Sequence, residues 1–124
     1  MSALNKNAIT SLSSTSSVNM NTGVATTLYA VPANSSCIIS HVIVKSASTG
    51  LSNAAYSFGF TSPAYSDVIA NATHTSLTGN SVYTILTAKD GATLGVAGNN
   101  FSVIMNTIQS GVATTTMDTF GYLY

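Results

Sequence analysis

The chain has 124 residues, enough for one domain with a single two-layer core, and 45% of them are apolar. Only 5% are charged: three lysines and three aspartates, with no arginine or glutamate, so the formal net charge is zero. An ordinary globular domain carries roughly 25% charge, so this composition excludes the basic groove that nucleic acid requires and leaves few groups for acid–base chemistry.

Residues 1–20 differ in texture from the rest. Thr10-Ser11-Leu12-Ser13-Ser14-Thr15-Ser16-Ser17 is low-complexity and has no sustained period. Leu4, Ile9, Leu12 and Val18 stand alone in it. Such a segment either frays or orders by lying along a neighbouring subunit, with those four side chains as contacts. The chain thus divides into a low-complexity arm, 1–20, flexible or extended, and a single β-sandwich domain, 21–124. No apolar h-region follows Met1-Ser2-Ala3-Leu4-Asn5-Lys6, so a secretory signal is not expected. No apolar run reaches the roughly 18 residues of a membrane helix.

From Val24 the chain reads as strands and turns. Val24 to Val31 is β-prone and ends at the turn signal Pro32-Ala33-Asn34-Ser35. Cys37 to Lys45 is apolar on both faces under strict alternation, with Ile39 and Ile43 on one and Ile38, Val42 and Val44 on the other. Such a strand is central to a sandwich or faces a second subunit. Ala54, Tyr56, Phe58 and Phe60 alternate with small residues and predict one buried face. Tyr65 to Ala70, Thr73 to Leu77, Val82 to Thr87 and Thr93 to Val96 follow, and Asp90-Gly91 has the composition of a hairpin turn. Phe101 to Thr107 and Val112 to Leu123 close the chain. In the last, Met117 and Leu123 share one parity while Phe120, Tyr122 and Tyr124 share the other. A switch of face at a bulge near Asp118 or Gly121 would reconcile them. About eight short strands with regular turns predict an all-β antiparallel sandwich.

The residues that carry chemistry are sparse. Cys37 lies in an apolar run and reads as a buried, inert thiol. His41, His74 and either Asp67 or Asp118 would make a legitimate metal-ligand set, but no spacing brings them together. Asp90 is accounted for by its turn, which leaves no carboxylate pair for glycoside chemistry. No serine sits in a G-x-S-x-G elbow, and the glycines of 91–98 lie between strands rather than before a helix. No catalytic, metal or cofactor-binding residue is therefore expected, and no enzyme activity. Tyr65, near Pro63, is the candidate exposed loop aromatic.

Thr27-Leu28-Tyr29-Ala30-Val31-Pro32-Ala33, followed by the apolar strand from Cys37, resembles the opening of many small structural proteins of tailed bacteriophages. The ending Asp118-Thr119-Phe120-Gly121-Tyr122-Leu123-Tyr124 is similar to their closing strand. Asn34 stands where those proteins usually have glycine. The resemblance implies a virion component with a jelly-roll-like sandwich, expected in the virion after synthesis in the host cytoplasm. Capsid decoration is the role it favours, with the major capsid protein or other virion proteins and further copies of the chain as partners, and neither nucleic acid nor membrane. The alternative is a receptor- or carbohydrate-binding domain of a tail fibre or baseplate. The candidate partner contacts are Leu4, Ile9, Leu12, Val18 and Tyr65.

Overall fold

A computed structural model describes residues 8–73 and 77–124. Nine strands run through them: β1 (Thr10–Asn19), β2 (Thr26–Ala30), β3 (Ser36–Lys45), β4 (Ala55–Gly59), β5 (Ile69–Thr73), β6 (Tyr83–Thr87), β7 (Gly95–Val96), β8 (Asn100–Thr107) and β9 (Thr114–Leu123). The described residues contain no helix. One sheet has the order β1-β9-β3-β6, with β7 also on β3, and the other has the order β2-β8-β4-β5. All pairings are antiparallel. The chain changes sheet at every step except β4 to β5 and β6 to β7, and the two sheets form the predicted antiparallel β-sandwich.

The core fills the space between the sheets. Tyr56 and Phe58 are fully buried, as the alternation of β4 predicts, and Phe60 packs at the core's edge. Phe58 stacks on Phe101 with ring centroids 6.0 Å apart, and Tyr56 meets Phe58 edge-on at 5.8 Å. The opposite sheet contributes Val42, Val44 and Met117. Cys37 is buried among them, and burial pushes its thiol pKa up to about 11.

Asn34 fills the glycine-like turn position with φ 61°, a left-handed conformation that asparagine tolerates better than most residues. The Asp90-Gly91 turn also forms, with Gly91 at φ 75°. It does not make a hairpin, however: β6 and β7 each pair with β3 rather than with one another.

Two expectations are corrected. Residues 10–20, read as part of an arm, belong to the sandwich: β1 pairs along β9, and Val18 and Met20 are buried in the core. The strand has no visible period because its register slips twice, between Ser11 and Ser13 and between Thr15 and Val18, and because Ser17 takes a positive φ of 57°. The face switch expected in the last strand is also absent. Along β9, Thr115, Met117, Thr119 and Gly121 point inward without interruption. The irregularities lie on its partners instead: β3 slips between Ile39 and His41, opposite Phe120–Gly121, and β1 between Ser11 and Ser13, opposite Thr119–Phe120. The β3 slip turns Ile39, Val42 and Val44 to the core, and Ile38 and Ile43 outward, which no strict alternation allows.

Candidate interaction surface

β9 lies between β1 and β3, and β6 and β7 lie beyond β3, so the outer side of this sheet is continuous across five strands. Its rows follow from the register. Val96, Ser36 and Tyr124 form the first, because Ser36 pairs with Val96 and exchanges backbone hydrogen bonds with Tyr124 at 2.7 and 3.0 Å. Ile38 and Tyr122 form the second, and Thr87, His41 and Phe120 the third. Ile85, Ile43 and Asp118 come next, then Tyr83, Lys45 and Thr116.

Most of these side chains are apolar and face solvent. Tyr83 is 66% exposed, Ile85 51%, Val96 50%, Tyr124 45% and Ile38 43%. Ile43, His41, Phe120 and Tyr122 are partly exposed and join them into one patch. The His41 ring stacks on Phe120 at 4.8 Å and 8°, and its Nδ1 lies 3.1 Å from Ser40 Oγ. The centre of the face is therefore a stacked aromatic plate.

The charges on this face are neutralised within it. Lys45 Nζ lies 2.8 Å from Asp118 Oδ2, and Ser14 Oγ donates to Asp118 Oδ1 at 2.6 Å. Partial burial pushes the Asp118 carboxyl pKa up, but the Lys45 and Ser14 hydrogen bonds and the Lys45 charge outweigh it and hold the group below its ordinary value. A shallow depression of about 360 Å³ opens beside this pair, lined by Lys45, Asn80, Ser81, Tyr83 and Asp118 among others.

A second, smaller apolar patch sits on the loops at one end of the sandwich. Val112 is 81% exposed, Val24 74% and Ile108 44%. Gln109, almost fully buried beneath them, holds these loops together. Its Oε1 accepts from the backbone N–H groups of Ser52, Asn53 and Ala54, and its Nε2 donates to Ser52 Oγ.

The residues named from the sequence fall in different places. Leu4 and His74 lie outside the described residues. Ile9 is 47% exposed just ahead of β1, Leu12 packs against the core, and Val18 is inside it. Tyr65 is half-buried in the β4–β5 loop with φ 43°. Asp67 braces that loop: its Oδ1 accepts from the Phe60 N–H at 2.9 Å and its Oδ2 from Thr61 Oγ1 at 2.7 Å. His41 and Asp118 lie on the outer face of the other sheet, and no group of three or more His, Cys, Asp or Glu among the described residues is arranged to hold a metal ion. The β9 side of the sheet face went unread in the sequence, although β3 was read there as apolar on both faces. Its signal was the outward parity of Phe120, Tyr122 and Tyr124, which taken at face value marks an apolar surface.

No family model matches the chain, and neither does any curated protein. Among solved structures, it is similar to a chain in the acidic stable capsid structure of Helicobacter pylori bacteriophage KHP30. The TM-score is 0.57 and the identity 12%, and the match covers 93% of this chain and 91% of that one. The likeness is one of fold, and the two chains are nearly equal in length.

Proposed function

We propose that this chain is a non-enzymatic structural protein of a bacteriophage virion, a decoration protein that binds the assembled major capsid shell in many copies. The observation that carries the reading is the whole-length fold match to a chain of nearly the same size in a phage capsid structure. The surface fits that role. A neutral molecule with two apolar patches is built to be covered, since a soluble monomer rarely leaves such faces open without use.

In this reading the loop-end patch of Val24, Ile108 and Val112 seats on the shell, because its exposed apolar side chains gain by being covered. Ile9, exposed just ahead of β1, is offered to a neighbouring subunit. Together these contacts act many times over on one particle, so modest single-site affinity gives stable attachment. Tyr83 and the depression beside it, where Asn80, Ser81 and Asp118 stand among apolar side chains, favour the alternative, a glycan-binding tail domain, since an exposed aromatic flanked by hydrogen-bonding groups suits a sugar ring.

The test is to mix purified protein with undecorated heads and count the copies retained after sedimentation. Decoration predicts saturable binding at a high, symmetric copy number, reduced by Val112→Asp. Binding to host cells or purified surface glycan, with none to heads, establishes the alternative and overturns decoration.

A further inference from the structure

We propose that the outer face of the β1-β9-β3-β6 sheet binds a second copy of this chain, face to face about a twofold axis. The inference deepens the multi-copy part of the decoration reading by naming the surface through which copies join. It rests on area, charge and shape.

The five most exposed apolar side chains of the face, with the partly exposed plate between them, present roughly 600–800 Å² of accessible surface, near the ~800 Å² per partner of a standard stable interface. That is about a tenth of the molecule's 6131 Å². The loop-end patch has only three large apolar side chains and falls well short.

Charge narrows the occupant. The charged groups in these rows, Lys45 and Asp118, are paired with one another, so the face asks for no countercharge from a partner. A basic or acidic partner would gain nothing here, whereas an identical face brings an equal apolar surface and no net charge. The pair also lies toward the Tyr83 end of the rows, away from the Val96 and Tyr124 end. A twofold axis through the His41–Phe120 plate sets each Lys45–Asp118 pair over the other copy's opposite end, so like charges do not meet. An interface related by such an axis is self-complementary and closes at two copies.

Shape agrees. Sheets pack face to face at about 10 Å through interdigitated side chains. The aromatic plate, flanked by Ile38, Ile43 and Ile85, is already ordered before contact, which lowers the entropy lost on association.

The experiment is sedimentation velocity of the purified full chain across a concentration series, repeated for Ile85→Lys and for Val112→Lys. Ile85 is outward on an edge strand, so its lysine variant keeps the core, and circular dichroism and the melting curve check that it does. The expected result is a species of twice the 12.7 kDa chain mass, with dimer affinity weakened about thirtyfold or more in Ile85→Lys and unchanged in Val112→Lys. A parent that stays at single mass overturns the proposal; if Ile85→Lys then also loses binding to heads, the face belongs to the shell. A trimer or larger ring overturns the twofold arrangement. A dimer broken by Val112→Lys and not by Ile85→Lys overturns the choice of face. Dimerisation in solution stands even where heads are not bound, so failure of the decoration reading leaves a separate record.

Discussion

Replacing Gln109 with leucine removes the acceptor that organises the loop before β4. Gln109 is 5% exposed, and its Oε1 lies 3.1 Å from the Ser52 nitrogen, 3.3 Å from that of Asn53 and 3.2 Å from that of Ala54. The three donors share one oxygen, so none of the bonds is at its strongest. Ser52 and Asn53 are exposed residues, and water can replace part of what their N–H groups lose. Ala54 is fully buried, so its N–H has no such recourse. Leaving one buried donor unsatisfied costs about 1–3 kcal/mol, and two partly compensated ones add about 1 kcal/mol together, for a total of roughly 2–4 kcal/mol. The main-chain bond from the Gln109 N–H to the Met20 carbonyl survives the change, so the β8–β9 loop should stay tied to the end of β1. In thermal unfolding the expected drop is roughly 6–15 °C for a domain of this size. If the leucine variant melts within a degree or two of the parent, the account of Gln109 as an acceptor for these three N–H groups is wrong.

Phe58→Ala should lower stability by about 3–5 kcal/mol in urea unfolding, because the ring is fully buried against Tyr56 and Phe101; a shift below about 1 kcal/mol would contradict its place in the core. Gly121→Ala should give little folded protein, since a Cβ there would stand 2.1 Å from the Ile38 carbonyl oxygen and force β3 from β9; a variant with the parent's melting curve would refute that close approach. Acid should weaken the fold through Asp67 and Asp118. Burial raises the Asp67 pKa, but the hydrogen bonds from Thr61, Thr93 and the Phe60 and Thr61 N–H groups outweigh it, so both carboxyls titrate below their ordinary 3.8. Their contribution is complete above the unfolded value and is lost as pH falls through the lower folded values. Urea midpoints should therefore fall between pH 5 and about pH 2, and less so in the Asp67→Asn, Asp118→Asn double variant. Cys37 should resist a thiol reagent at neutral pH until the protein unfolds, its thiol being buried with a pKa pushed up to about 11; rapid labelling of the native protein would count against this.

Where a segment's side chains alone decide its face, the sequence settled the outcome. Small residues alternate with Tyr56, Phe58 and Phe60, so the large set of β4 had to face the core, and it does; that the small set is buried too, under the β4–β5 loop, was not legible. The turns at Asn34 and Gly91 were legible for the same local reason: few residues accept a positive φ. The charge count by itself also fixed a neutral surface. Tertiary structure decided the rest, because a β-bulge adds a residue without leaving a mark in the sequence. One slip at Ser40 sends Ile39 and Val42 to the same side, and two slips in β1 hide any period among its serines and threonines. β1 holds its place largely through backbone hydrogen bonds to β9 and through Val18 and Met20 at one end, and backbone pairing is indifferent to side-chain identity. The face of Phe120, Tyr122 and Tyr124 was likewise undecidable along the chain. Hydrophobicity says that aromatic residues should be covered, not by what. Only the sandwich shows that the inner side of β9 is already filled by Met117 and its neighbours, which leaves the aromatic row outside.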